Sequence, residues 1–113
     1  MDRIRKIEID LKREISYIIN AKVKNPKVSF VTITDVRLSP DFHWLDIFVS
    51  IMGNQDAINE GMRGLKESIG FIKKNLRERV KLRIMPKINF LYDTSVDKGI
   101  RIAEILEDLS RKK

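Results

Sequence analysis

The sequence predicts an α+β fold in which helices pack on one face of a three-stranded sheet. Three observations lead there. Apolar residues recur at three- and four-residue steps near the start, through the middle and at the end of the chain. Between these stretches lie short β-branched runs with two-residue alternation. Pro26 and Pro86 stand where a helical period gives way to alternation, and Pro40 stands between two alternating runs.

Taken in order, Ile4, Ile7, Leu11, Ile15 and Ile18 share one arc of a helix over 2–22, which Asn25-Pro26 ends, because a residue before proline avoids helical dihedrals. A first strand is expected over 28–36, rich in Val, Ile and Thr, and a second over 42–51. In the second, His43, Leu45, Ile47, Val49 and Ile51 share the face expected to be the core, and Phe42, Trp44, Asp46, Phe48 and Ser50 a partly wet one. Leu38-Ser39-Pro40-Asp41 is the expected turn of this antiparallel hairpin. A long helical pattern then covers 55–81, with Asn54 as N-cap and an apolar stripe from Ile58 through Leu65 and Ile72 to Val80. Ser68-Ile69-Gly70 interrupts it, and helices bend at Gly and Ser pairs, so a helix-kink-helix is expected there. Pro86 ends helical structure, 88–92 reads as a third strand, and Thr94-Ser95-Val96-Asp97 caps a last helix over 96–111. Helix, strand, strand, helix-kink-helix, strand is the order of a type II KH-like domain, a nucleic-acid-binding module.

Composition narrows the function classes. At 113 residues without a linker or repeat, the chain is expected to fold as a single KH-like domain over 1–113. With no Cys there is neither a disulfide nor a thiolate site, and one His excludes multi-imidazole metal centres. No apolar run is long enough to span a bilayer, and the charged N-terminus does not read as a signal peptide. A cytoplasmic protein is expected, with no metal, cofactor, membrane or small-molecule substrate. The single His, His43, is a structural or surface residue on this reading. Ser39 and Asp41 have no spacing that makes a catalytic triad with it. No phosphate-loop motif is present, and the chain is read as no enzyme.

Charge locates the candidate site. The net charge is +7, but residues 28–60 carry one basic and five acidic side chains, whereas 61–87 carry nine basic and two acidic. Such segregation points to a polyanionic partner. The candidate RNA-binding residues are Lys66, Lys73, Lys74, Arg77, Arg79, Lys81 and Arg83, extended by Arg3, Arg5 and Lys6 of the first helix. Lys66, Lys73, Arg77 and Lys81 are expected on one arc beside the apolar stripe. Ser68 and Gly70 complete the set, Gly70 by letting RNA approach the backbone and setting the angle between the helices. Gly61-Met62-Arg63-Gly64 matches the GxxG clamp of KH domains literally, but the stripe runs through it unbroken, so it is read as helix interior. Trp44, Phe48, Phe71, Phe90 and Tyr92 are read as core rather than base-stacking platforms.

Several stretches carry a resemblance. Leu82-Arg83-Ile84-Met85-Pro86-Lys87-Ile88-Asn89-Phe90-Leu91-Tyr92-Asp93, continuing through Ser95, Gly99, Ile100 and Arg101, resembles the most recognisable segment of the ribosome-binding factor A family. Val36-Arg37-Leu38-Ser39-Pro40-Asp41 and Asn25-Pro26-Lys27 are similar too, and the resemblance covers about residues 3 to 110. In that family an Ala-x-Gly kink replaces the GxxG loop. Here Gly70 matches and Ser68 departs from the alanine. The charged tail of many members has no counterpart before Lys113. The resemblance implies a cytoplasmic, non-catalytic assembly factor that binds the free 30S small ribosomal subunit and 16S rRNA as a monomer. It also implies assistance to late 30S maturation and 16S precursor processing, with a cold-shock connection in some bacteria. The residues alone reach only a basic KH-like RNA binder. That leaves a protein acting on messenger or regulatory RNA, or a protein-interaction module using the sheet edge or Trp44 face, as alternatives.

Overall fold

The computed structural model describes residues 2–94, so the helix expected over 96–111 lies outside the described residues. Helix α1 spans Arg3–Tyr17, with the Asp2 carboxylate accepting from the Ile4 N–H at its start. It buries Leu11 and Ile15, as the period requires. The expected helix over 2–22 does not stay α-helical throughout: Ile18–Lys22 is a π turn closed by the Val23 N–H donating to the Ile18 carbonyl at 3.0 Å. The wider turn lets the consecutive pair Ile18 and Ile19 both enter the core.

Pro26–Val28 forms a 3-10 turn capped by the Asn25 side chain, so the first strand begins later than its β-branched run suggests. Strand β1 is Val31–Leu38 and β2 is Trp44–Ile51, paired antiparallel. A bulge between Ile33 and Asp35 resets the alternation, so that Val31 and Ile33 before it and Val36 and Leu38 after it all face inward. The hairpin turn sits one residue beyond the expected position. The Phe42 N–H donates to the Ser39 carbonyl at 2.9 Å, placing Pro40 second in the turn, where its fixed φ suits it. Phe42 itself has φ 66° and cannot begin the strand.

Helix α2 covers Gln55–Glu67 and α3 covers Ile69–Arg79. They return the chain to β3, Lys87–Tyr92, which pairs parallel with β2 in the sheet order β1-β2-β3. Leu65, Ile72 and Leu76 from the helices meet Leu45, Ile47 and Val49 of the central strand, and all six are fully buried. Burying each such side chain contributes about 1.5–3 kcal/mol relative to exposure. The other face of β2 is wetter, with Trp44 52% exposed, as the alternation predicts. One buried carboxylate ties the first helix to the sheet. Glu8 accepts from the Leu38 N–H at 2.7 Å and from Arg5 at 3.0 Å. The expected α+β, type II KH-like arrangement is the one observed.

Candidate nucleic-acid interface

The kink is built by Ser68. Its φ and ψ of −94° and 0° lie between α-helix and turn, and its N–H is shared by the carbonyls of Gly64 and Leu65, both at 3.1 Å. Its hydroxyl donates to the Gly64 carbonyl at 2.8 Å. Serine back-bonding of this kind bends helices, and an alanine there has no hydroxyl to make it. Ser68 is 7% exposed, so its contribution to the site is the bend. Gly70, by contrast, is exposed, and a Cβ added to it would meet nothing within 4 Å.

At about 100° per residue, Lys73, Arg77, Gly70 and Lys74 span an arc of about 100° on one flank of α3, beside the buried Ile72 and Leu76. Lys74 and Arg77 are exposed and Lys73 is half-buried. None of the three has an ion-pair partner among the described residues. Lys66, also exposed and unpaired, stands in the last turn of α2.

The rest of the expected set divides. Arg79 projects from the opposite flank of α3, where it donates to Glu14 at 2.7 Å and lies over the Tyr17 ring at 4.4 Å. Arg5 pairs with Glu8 and Asp35, at 3.0 and 3.3 Å, and these contacts raise its already high pKa. Both hold α1 in place. Lys81 does not share the α3 arc: the helix stops at Arg79, because Val80 turns extended at φ −130°, ψ 134°. Instead Lys81 and Arg83 join Arg3 around a cleft of about 740 Å³ whose apolar wall is Ile4, Ile7, Phe42, Val80, Leu82 and Ile84. Lys6 is exposed on α1.

Two lysines escaped the sequence reading. The 3-10 turn packs beside α2 close to the kink, with Asn25 donating to Glu67 at 3.0 Å and Lys27 pairing with the same carboxylate at 3.1 Å. This places the exposed Lys22 and Lys24 in the segment entering that turn, both without an ion pair among the described residues. The net charge of +4 over residues 1–27 was the available signal. The expected helical GxxG is confirmed. Gly61 lies against Ile51 and Gly64 against Lys27, and both are buried within α2. The reading of the aromatics as core fails for Trp44 and Phe71, 52% and 44% exposed: Trp44 alternates onto the wet face of β2, and Phe71 stands on the side of α3 turned from the buried Ile72 and Leu76. His43 is exposed, with its ring 3.3 Å from the Asp41 carboxylate. Among the described residues no cluster of His, Asp and Glu is arranged to hold a metal ion, and no helix is long and apolar enough to cross a membrane.

Comparison with known proteins agrees with this architecture. The chain is similar to ribosome-binding factor A of Macrococcus caseolyticus, 40% identical over 98% of this chain and 97% of the relative. The protein of the same name from Staphylococcus saprophyticus is 39% identical over 97% and 96%. The crystal structure of ribosome-binding factor A from Thermus thermophilus superposes with TM-score 0.72 at 26% identity, covering 80% of this chain and 97% of that one. A homology model of the Thermus thermophilus protein, fitted into a cryo-EM map of a 30S complex, superposes at 0.66, with 26% identity and coverage of 81% and 97%. The model of the family described as ribosome-binding factor A matches residues 3–106, and the chain belongs to that family.

Proposed function

We propose that this chain is a non-catalytic assembly factor that binds the free 30S small ribosomal subunit through 16S rRNA. On this reading it assists late subunit maturation and 16S precursor processing, acting as a cytoplasmic monomer. The observation that carries the reading is the α3 flank, where Lys73, Lys74 and Arg77 surround the open backbone of Gly70 without counter-ions among the described residues. Unpaired cations on a rigid helix suit a phosphate backbone, and each contact releases condensed counterions. A bend without a clamping loop favours structured rRNA, recognised by shape and charge, over four splayed bases. Family membership and the 30S complex of the Thermus relative support the ribosome as the place of action.

The test is titration of purified small subunits with wild-type protein and with Lys73→Glu/Arg77→Glu. The variant should bind more weakly. Its log–log salt slope should shrink by about 0.9 per lost phosphate contact on duplex, or about 0.7 on single strands. Unchanged affinity and slope refute this surface. Sedimentation through sucrose should place the protein with free small subunits, whereas recovery only with messenger RNA refutes the ribosomal reading.

A further inference from the structure

The cleft at the start of α1 has a chemistry different from the α3 flank. Its wall is apolar, yet Arg3, Lys81 and Arg83 stand on its rim with no ion pair or hydrogen bond to a side chain among the described residues. Two carboxylates also border it, but both are engaged. Asp10 pairs with Arg13 at 3.3 Å. Asp41 accepts from the Ser39 hydroxyl at 2.7 Å and the His43 N–H at 3.1 Å, and lies 3.3 Å from the His43 ring. Three cations against these two carboxylates still leave the rim net positive.

Phe42 is the second observation. Its φ of 66° is a backbone conformation that suits glycine or asparagine and that a bulky side chain rarely adopts. At this turn position the strain is relieved by any glycine, yet an aromatic ring is held half-buried in the wall of the cleft. Ile84, 42% exposed, faces the same space. A volume of about 740 Å³ lies within the range of small-ligand sites and accommodates a nucleotide.

We infer that this cleft receives one unstacked base of single-stranded RNA against Phe42 and Ile84, while the neighbouring phosphates rest on Arg3, Lys81 and Arg83. The inference rests on the rRNA-binding reading and deepens it: the α3 flank meets structured backbone, and the cleft takes a base released from a helix. An apolar wall ringed by free cations matches a nucleotide, whose base is flat and poorly hydrated and whose phosphate is anionic. An apolar peptide has no use for the three cations.

The probe is a short fluorophore-labelled single-stranded RNA, titrated into the full chain by anisotropy beside the same strand carrying abasic sites and beside its duplex. Wild-type protein should bind the intact strand about tenfold more tightly than the abasic one, within the range that stacking on one aromatic ring supplies. Phe42→Gly, which relaxes the turn, and Ile84→Ser, at an exposed position, should each remove that difference and leave duplex binding as it was. Equal affinity of wild-type protein for the intact and abasic strands overturns the inference, and needs no variant to fold. So does full retention of base dependence in both variants, or displacement of the probe by an acidic peptide as readily as by RNA. In each of those cases a loss of small-subunit binding in Lys73→Glu/Arg77→Glu leaves the assembly-factor reading standing. Retained binding in that charge reversal removes the α3 flank separately.

Discussion

Replacing Gly64 and Gly70 by alanine, one at a time, sets helix propensity against packing. Both sit in helical backbone, where alanine is favoured over glycine by up to about 1 kcal/mol. At Gly70 nothing opposes that gain, since an added Cβ meets no atom within 4 Å. Gly70→Ala should therefore stabilise the protein by about 0.5–1 kcal/mol. At Gly64 the Cβ would stand 2.6 Å from the Cβ of Lys27 and 3.1 Å from a methyl of Val28. Neither is the free end of a long side chain, and the turn that carries them is tied to Glu67 by Asn25 and Lys27. Such overpacking costs about 1–3 kcal/mol. Gly64→Ala should then lose about 1 kcal/mol net, which separates the two variants by about 2 kcal/mol. In a thermal melt that is about 8 °C for a domain of this size. Urea titration followed by far-UV circular dichroism measures the same gap, with the slope on denaturant unchanged. A Gly64→Ala protein as stable as Gly70→Ala refutes the packing argument. Gly70→Ala also separates stability from function. If RNA approaches the Gly70 backbone, the more stable variant should bind small subunits more weakly, measured in the same titration as the charge reversal.

Glu8→Ala leaves the Leu38 N–H without its acceptor and should cost about 1–3 kcal/mol in urea titration; a change below about 0.5 kcal/mol would show that water replaces the carboxylate at no loss. Arg79→Ala should reduce stability by about 1 kcal/mol through its pair with Glu14 and its contact with Tyr17, while the salt slope of RNA binding stays close to wild type. A reduced slope would return Arg79 to the RNA surface. Acid should destabilise the fold. Hydrogen bonds from the Asn25 amide and then Lys27 hold the Glu67 carboxyl below its usual range. The Ser39 hydroxyl and then the His43 N–H do the same for Asp41. At Asp35 burial pushes upward but is outweighed by the Val36 N–H, Arg37 and Arg5. A carboxyl whose folded pKa is lowered contributes stability above its unfolded value, about pH 4, and loses it as pH falls through the lower folded value. The urea midpoint should drop along that limb, and Glu67→Gln should flatten it. Stability that rises on acidification would refute the assignment.

The helices, the hairpin and the core face of β2 were legible because each is a local pattern. The period of α1 names Leu11 and Ile15, and the alternation of β2 names Leu45, Ile47 and Val49, before any contact is known. The departures have one cause in common: a neighbour distant in the chain, or a backbone irregularity, overrides the local signal. The bulge at Ile33/Asp35 inserts a phase change that strict alternation cannot show. Val80 continues the apolar stripe of α3, yet its backbone is extended and carries Lys81 off the helix. For the site, sequence charge marked a basic segment around a kink, but treated Arg79 and Arg77 alike. Glu14, 65 residues before Arg79, engages one of them and leaves the other free.

What the sequence determined by itself was the inventory: α+β elements in type II KH order, a kink at Ser68-Gly70, and positive charge concentrated around it. Those follow from side-chain volume, dihedral preference and charge, which are properties of short segments. Which cations remain available was decided only by the tertiary structure. An arginine's field is spent or free according to whether a carboxylate lies within about 4 Å, and separation along the chain does not fix that distance. Folding pairs Arg5 with Glu8 and Asp35 and Arg79 with Glu14, and assembles Arg3, Lys81 and Arg83 around one apolar cleft.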